Sequence, residues 1–279
     1  MAAGFGPRIV RYALSGRENV LGELPAAEYG VDTPYGERWH VRGGHRLWHA
    51  PEHSRTTYVP DNAPPRCEVV GRTVRVTRGV EPETGLEKEL VVTLDGDTSR
   101  VTVAHRITNR GAEEVTLAPW ALTVMAPGGT AFAPSAPFCA HSDPKGLLPA
   151  RAVALWPYTR LGDPRFRFGE RFWFVRHDAR EPSPQKLGFF NREGFVGYAV
   201  GGLLFLKLYE PVPGEHADLG SNTEIFVEGS MLELETLGPL ARLAPGAIVE
   251  HTERWLLGEG PGVADEAALE QAVNALRAR

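Results

Sequence analysis

Alternating apolar and polar residues recur along most of the chain, at the period of two that is typical of β-strands. The segments RTVRVTRGV (72–80), ELVVTL (89–94) and SRVTVAHRITN (99–109) show this pattern, and EEVTLAPWALTVMA (113–126) follows them. Asp95-Gly96-Asp97 separates two of these segments and is a turn signal. A fold with this many short strands is a sheet protein, and we expect antiparallel pairing because the connections are short.

The second half of the chain continues the same pattern. GFVGYAVGGLLFLKLYE (194–210) predicts a hairpin, because its two central glycines supply the positive φ that tight hairpin turns require. TEIFVEG (223–229), SMLELETL (230–237) and IVEHTERWLL (248–257) predict further strands. Only DEAALEQAVNALRA (265–278) has helical spacing of its apolar residues. We therefore predict an all-β domain over residues 1–258 and a helical tail over residues 259–279.

The net charge and the length of the longest apolar run argue against two classes of partner, nucleic acids and membranes. The formal net charge of −5 opposes nucleic-acid binding by bulk electrostatics, although RFRFGERFWFVR (165–176) interleaves basic and aromatic residues. Alternation explains this pattern more simply as a strand over 166–176, with Phe168, Phe172 and Phe174 facing a core. The longest apolar run, Phe195 to Leu206, is about a dozen residues long, whereas a membrane-spanning helix needs roughly 20. The first residues lack the apolar stretch of a signal peptide. We expect a cytoplasmic protein that contacts neither nucleic acid nor membrane.

One strand carries an unusual pair of acids. In LELETLGPL (232–240), alternation places Leu232 and Leu234 on one face and Glu233 and Glu235 on the other. The acidic face is either ordinary solvated surface or the floor of a pocket that needs carboxylates.

A second polar segment is VRGGHRLWHAPEH (41–53). His45, His49 and His53 recur every four residues, the spacing at which a helix could bind zinc. Gly43-Gly44 and Pro51 oppose a regular helix, and no second His/Cys cluster supports a metal, so we predict none. Two interpretations remain: an irregular loop with solvated histidines, or a polar lip that presents His45, Arg46 and Trp48 to a sugar.

Other polar residues have an ordinary and a functional interpretation. Asp218, Asn222 and Glu224 lie in ADLGSNTE (217–224), where they either form a turn or recognise hydroxyl groups. Lys186 in SPQKLGFF is either a solvated lysine or a cleft residue. The chain has no GxSxG, no GxxxxGK[ST] and no GxGxxG that opens a helix. Serine-hydrolase, P-loop and Rossmann chemistry are therefore unsupported.

Several segments together resemble a bacterial family with the galactose mutarotase-like, or aldose 1-epimerase, fold. They appear in the order VRGGHRLWHAPE, RITNRG, APWALTVMAPGG, QKLGFFNREG and LELETLGPLARLAPGAIVEHTERW, and the resemblance extends to about residue 258. It implies a β-supersandwich of twisted antiparallel sheets, with a sugar bound on a concave face and no cofactor.

The resemblance also implies roles for individual residues. Glu235-Thr236 is similar to the Glu-Thr pair that carries the catalytic base of aldose 1-epimerases. The histidine acid of galactose mutarotases has no counterpart in APWAL (118–122), and His45 is our candidate substitute. We expect one cleft that binds a small carbohydrate through side chains from several segments. These are His45, Arg46, Trp48, Lys186, Asp218, Asn222 and Glu233.

Three functions are compatible with this cleft. The first is anomer interconversion by general acid/base chemistry. The second is carbohydrate binding without catalysis, which the missing histidine favours. The third is a polysaccharide lyase or hydrolase, which the absence of a secretion signal disfavours.

Overall fold

The computed structural model describes residues 1–278, and strands are the main regular structure among them. The strands of the first half are β1 (Gly30–Asp32), β2 (Arg38–His40), β3 (His45–Ala50), β4 (Arg66–Val70), β5 (Thr73–Val80), β6 (Leu86–Leu94), β7 (Val101–Asn109), β8 (Val115–Val124) and β9 (Thr130–Pro134). Those of the second half are β10 (Ala154–Leu155), β11 (Phe166–Phe168), β12 (Phe172–Arg176), β13 (Gln185–Phe189), β14 (Phe195–Val200), β15 (Leu203–Tyr209), β16 (Thr223–Val227), β17 (Leu232–Leu237), β18 (Ala241–Leu243) and β19 (Ile248–Glu259). Helical structure is confined to Pro144–Leu147 (a 3₁₀ turn), Ala217–Gly220 and Glu266–Arg277 in the described chain. The predicted all-β class with one C-terminal helix is confirmed.

Two antiparallel sheets form the body of the fold. A ten-stranded sheet has the order β11-β12-β9-β14-β15-β19-β7-β6-β5-β4. A seven-stranded sheet has the order β10-β13-β16-β17-β8-β18, with β3 also paired to β8. Strands β1 and β2 form a separate hairpin. The apolar core lies between the large sheets, where Leu232 and Leu234 of β17 pack against residues of the ten-stranded sheet.

The C-terminal helix covers the outer face of the ten-stranded sheet. Its residues Leu269, Val273 and Leu276 are buried against Phe172, Phe174 and neighbouring apolar side chains. Asp265 caps the helix by accepting hydrogen bonds from the backbone N–H groups of Ala267 and Ala268. No helix within residues 1–278 is both long and apolar enough to cross a membrane.

Two segments differ from the sequence-based prediction. Residues 45–50, within the predicted irregular loop, form β3, which pairs with β8 over its whole length. The strand ends where Pro51 removes the next N–H donor.

The segment 166–176, predicted as one strand, is a hairpin of β11 and β12 around Gly169. Phe172 and Phe174 are buried there, whereas Phe168 is 46% exposed.

A polar layer lies within the core between the two sheets. The ammonium group of Lys207 on β15 pairs with Glu253 Oε1 on β19 at 3.0 Å, and both side chains are fully buried. Lys207 Nζ also donates to the carbonyl oxygens of Ala121 and Leu234 at 3.2 Å each. Because Ala121 and Leu234 belong to the seven-stranded sheet, this lysine joins one sheet to the backbone of the other.

Two histidines extend the layer, and their hydrogen bonds define their tautomers. His105 Nδ1 lies 2.8 Å from the carbonyl of His251, which can only accept, so Nδ1 carries the proton. Burial lowers the pKa of His105, and the ring is neutral with a free lone pair on Nε2. That lone pair accepts from His45 Nε2 at 2.7 Å. His45 Nδ1 then accepts from the hydroxyl of Thr123 at 2.8 Å.

The Lys207–Glu253 pair generates a stability prediction. Lys207→Met leaves a fully buried carboxylate without its cation, and we expect the free energy of unfolding to fall by about 3–5 kcal/mol. Adding Glu253→Gln removes the stranded charge, so the double variant should be more stable than Lys207→Met alone. Urea unfolding of both single variants and the double variant measures the coupling. Strictly additive losses would contradict a direct pair.

Candidate active site

A cleft opens on the face of the seven-stranded sheet that points away from the core. Its cavity volume is about 300 Å³, at the lower end of the range of small-molecule pockets. The β1–β2 hairpin contributes one wall through Val31 and Trp39, and the long connection between β9 and β11 contributes Tyr158 to the opposite wall. The other lining residues are Val41, Arg46, Trp48, Glu52, Tyr58, Trp120, Leu122, Pro184, Lys186, Phe226, Met231, Glu233 and Glu235.

Glu233 and Glu235 form part of the floor of this cleft. Strand alternation turns their carboxylates away from Leu232 and Leu234, which fill the core on the other face. Both glutamates are nonetheless buried, at 6% and 1% exposure. The acidic face of LELETLGPL is therefore the lining of a pocket, not ordinary solvated surface.

Glu235 is held by two donors. Its Oε2 accepts from Lys186 Nζ at 2.9 Å and from the indole Nε1 of Trp120 at 2.8 Å. Neither of these two donors bonds to Glu235 Oε1. This oxygen is thus the atom of Glu235 that remains available to a ligand.

Lys186 bridges Glu235 to a second carboxyl group. Its Nζ lies 2.6 Å from Glu224 Oε2, and Glu224 is the direct cross-strand neighbour of Glu235. Gly188, opposite Glu224 on β13, leaves room for this arrangement. A Cβ atom at Gly188 would lie 2.6 Å from Ser221 Oγ and 3.2 Å from Glu224 Cγ.

Burial controls the protonation of this group. It raises the pKa of Glu224 well above the ordinary value and also raises the pKa of Glu235, and nearby Lys186 only partly opposes this in each case. Burial by itself lowers the pKa of Lys186, but the two adjacent carboxylates outweigh it, so the net shift is upward. Lys186 therefore stays charged, and Glu235, which accepts from both Lys186 and Trp120, is the member of the carboxyl pair that ionises more readily than Glu224, which contacts Lys186 alone.

Arg46 and Glu233 form the second charged pair of the floor. Arg46 Nη1 donates to Glu233 Oε1 at 2.7 Å. The guanidinium group also lies 4.1 Å from the ring centre of Trp48 and 5.3 Å from that of Trp39. Within the described residues Arg46 Nη2 and Glu233 Oε2 make no hydrogen bond, so the pair offers one donor and one acceptor to a ligand hydroxyl.

Aromatic side chains form the walls above these charges. Trp48 contacts Tyr58 and Trp120 edge to face, with ring centres 5.0 and 5.4 Å apart. The hydroxyl of Tyr58 donates to the carboxylate of Glu52 at the rim. Such rings cover the apolar C–H faces of a sugar while their polar ends and the floor bind its hydroxyl groups.

The structure brings five of the sequence-predicted site residues together in this cleft. They are Arg46, Trp48, Lys186, Glu233 and Glu235. Sequence reasoning missed Trp120, Tyr58, Tyr158 and Glu52 as cleft residues, and it left Glu224 out of the predicted cleft although it considered hydroxyl recognition by this residue.

The predicted position of His45 is wrong. Arg46 and Trp48 face the cleft, so alternation along β3 turns His45 to the opposite face, where it is completely buried in the core. Its two ring nitrogens are occupied by Thr123 and His105. His45 therefore cannot reach a ligand beside Glu235.

Asn222 and Asp218 also lie outside the cleft lining. Asn222 is buried, and its amide accepts from Asn191 N at 2.7 Å and donates to Asn191 O at 3.1 Å. It braces two loops. Asp218 has a left-handed φ of 50° in the turn before β16, and its charge contributes to raising the pKa of Glu224.

Potential metal ligands occur together in the core, not in the cleft. Donor atoms of His45, His105 and Glu253 lie within 4.8 Å of one another. However, the imidazoles bind each other, and Glu253 accepts from Lys207, Trp255 Nε1 at 2.8 Å and Thr236 Oγ1 at 2.5 Å. This network satisfies its members without a metal.

Comparison with known proteins identifies the fold. No family model and no curated protein matches the chain. A galactose mutarotase-like protein from Lactobacillus casei aligns with a TM-score of 0.51 and 11% identity, covering 80% of this chain and 90% of that one. A "putative mutarotase" from Salmonella typhimurium aligns at 0.55 and 9% identity, covering 91% and 85%. A TPR-domain containing protein from Parabacteroides distasonis aligns at 0.58 and 12% identity, covering 91% of this chain and 44% of that one. The chain has the galactose mutarotase-like fold.

Proposed function

We propose that the chain binds an aldose in the cleft and interconverts its anomers, as an aldose 1-epimerase does. The observation that supports this most directly is the contact between Glu235 and Lys186. In this contact a carboxylate that could act as a base lies 2.9 Å from an ammonium group that could donate a proton, and both line a cleft of about 300 Å³.

The reaction needs a base and a donor close together. Glu235 Oε1 takes the proton of the anomeric hydroxyl while Lys186 Nζ gives a proton to the ring oxygen, and the ring opens to the aldehyde. After rotation about the bond to C1, the same two transfers run in reverse and close the ring on the other face. Because both sugar oxygens are bonded to one carbon, two neighbouring catalytic groups can reach them together.

The environment of Glu235 suits it to act as the base. Burial raises its pKa from the ordinary glutamate range toward neutral pH, which strengthens the base that forms on ionisation. The negative charge of Glu235 adds to burial in raising the pKa of Glu224, so the neighbouring carboxyl group stays neutral while Glu235 is ionised. In this pair of carboxyl groups, Glu224 is the protonated member and Glu235 is the ionised member.

A second candidate is a carbohydrate-binding protein without catalysis. No histidine is among the cleft-lining residues of the described chain. The raised pKa of Lys186 also makes its ammonium group a weak acid. Saturable sugar binding without faster mutarotation would support this function, and new reducing ends or unsaturated products would instead support a hydrolase or lyase.

The role of Glu235 is tested by Glu235→Gln. Glutamine keeps the size and can still accept from Trp120, but it cannot take a proton, so the rate of anomerisation should fall roughly 100- to 10,000-fold. The rate is followed by optical rotation after a pure anomer of glucose or galactose is freshly dissolved. Glu83→Gln, an exposed change outside the cleft, is the matched control and should keep the full rate. Full activity of a folded Glu235→Gln protein would place the base elsewhere.

The pH dependence of the rate gives a separate prediction. The reaction needs ionised Glu235, so the rate should rise with pH through a pKa above the usual glutamate value, because burial and then Glu233 raise it. Glu233→Gln removes that neighbouring negative charge and releases the positive charge of Arg46. Both changes lower the pKa of Glu235, so the acid limb of the pH–rate profile should move to lower pH. An unchanged limb would show that Glu235 is not the titrating group.

A further inference from the structure

The charges that line the cleft are not balanced. Arg46 and Lys186 are the cations among the lining residues, whereas Glu52, Glu233 and Glu235 are carboxylic acids. Glu224 adds a fourth carboxyl group through its contact with Lys186. Even with one proton retained on Glu224, the carboxylates exceed the cations by one.

The positive charge of each lining cation is already neutralised by a carboxylate of the site. Arg46 pairs with Glu233 at 2.7 Å, and their side chains are only 5% and 8% exposed. Lys186 lies between Glu224 and Glu235 with 5% of its side chain exposed. A phosphate or carboxylate on a sugar would contact Arg46 only through Nη2, next to the Glu233 carboxylate that already neutralises this cation, and would pair with Lys186 only by displacing a carboxylate from it, which is strongly unfavourable.

Glu52 is the carboxylate of the cleft lining that takes part in neither of these ion pairs. It lies at the rim, and within the described residues it receives the hydroxyl of Tyr58 but no cation within 4.0 Å. The neighbouring walls are the rings of Trp39, Trp48, Tyr58 and Tyr158. An unpaired carboxylate beside aromatic faces is a favourable environment for an organic ammonium group.

We infer that the cleft prefers a sugar that carries a primary amine over neutral sugars, and rejects phosphorylated sugars and uronic acids. The inference rests on the proposed sugar-binding function and adds the charge of the ligand. The ammonium group pairs with Glu52 at the rim while the ring lies over the floor formed by Glu233 and Glu235. Such a ligand brings the charge of the cleft close to neutral.

The test is calorimetric titration of the full chain with matched sugars at about pH 6.5, where a sugar amine is protonated. Glucosamine is compared with glucose, N-acetylglucosamine and glucose 6-phosphate, and galactosamine with galactose. Since hydrogen bonds to charged groups are stronger than neutral ones, we expect each amine to bind about fivefold more tightly than its neutral counterpart. Higher salt should reduce this preference, and glucose 6-phosphate should bind most weakly.

Two variants locate the preference. Glu52→Gln keeps an acceptor for Tyr58 but removes the charge, so it should bind amine and neutral sugars alike. Glu83→Gln makes the same charge change outside the cleft and should keep the preference. Unchanged melting temperatures confirm that both proteins are folded.

The outcomes separate this inference from the proposed function. If neutral sugars bind or anomerise but the amines bind no more tightly, the inference is wrong and the proposed function stands. Tighter binding of glucose 6-phosphate, or an amine preference that survives Glu52→Gln, would also overturn it. If none of the six sugars binds, the proposed function and this inference both fall.

Discussion

The need to pair every buried charge shapes both faces of the seven-stranded sheet. On the core face, Lys207 of the ten-stranded sheet pairs with Glu253 of the same sheet and reaches across to the backbone carbonyls of Ala121 and Leu234. On the cleft face, Arg46 and Lys186 neutralise the carboxylates of β17. A charge that lost its partner in either place would be costly, so each pair fixes the strand that carries it. The strands that form the floor of the cleft are therefore fixed by the contacts of Lys207 on the core face and by the pairs of Arg46 and Lys186 on the cleft face.

Strand alternation is the part of this arrangement that the sequence predicts well. The LELETL pattern places two carboxylates opposite two leucines, and the structure has both sets where the pattern puts them. The same rule explains the error at His45. Glycines and a proline around residues 41–53 indicated a loop, whereas six of these residues pair with β8. Once β3 is a strand, Arg46 and His45 must face opposite sides.

Other cleft residues were beyond sequence reasoning for a different reason. The middle of β8, residues 118–122, is apolar on both faces, since one side meets the core and the other meets the aromatic walls, so nothing in its pattern distinguishes Trp120 from its neighbours. Glu224 becomes a site residue only because β16 lies between β13 and β17, which places Lys186 and Glu235 on either side of it. That order depends on pairing between distant segments, which a local pattern does not contain.

The described lining residues of the cleft include no histidine that could act as the acid. The proposed reaction remains possible without it, but the relative contributions of its base and its acid change. Burial makes Glu235 a stronger base, while the two carboxylates make Lys186 a weaker acid. Removal of the anomeric proton should then lead, and negative charge should develop on the ring oxygen before a proton is transferred to it. A fixed ammonium group stabilises such charge electrostatically, because it is already oriented by Glu224 and needs no reorganisation. The carboxylates of Glu224 and Glu235, which make Lys186 a weaker acid, thus also hold its ammonium group where it can stabilise negative charge. In this proposal Glu235 and Lys186 share the reaction differently from a base that is paired with an imidazole acid.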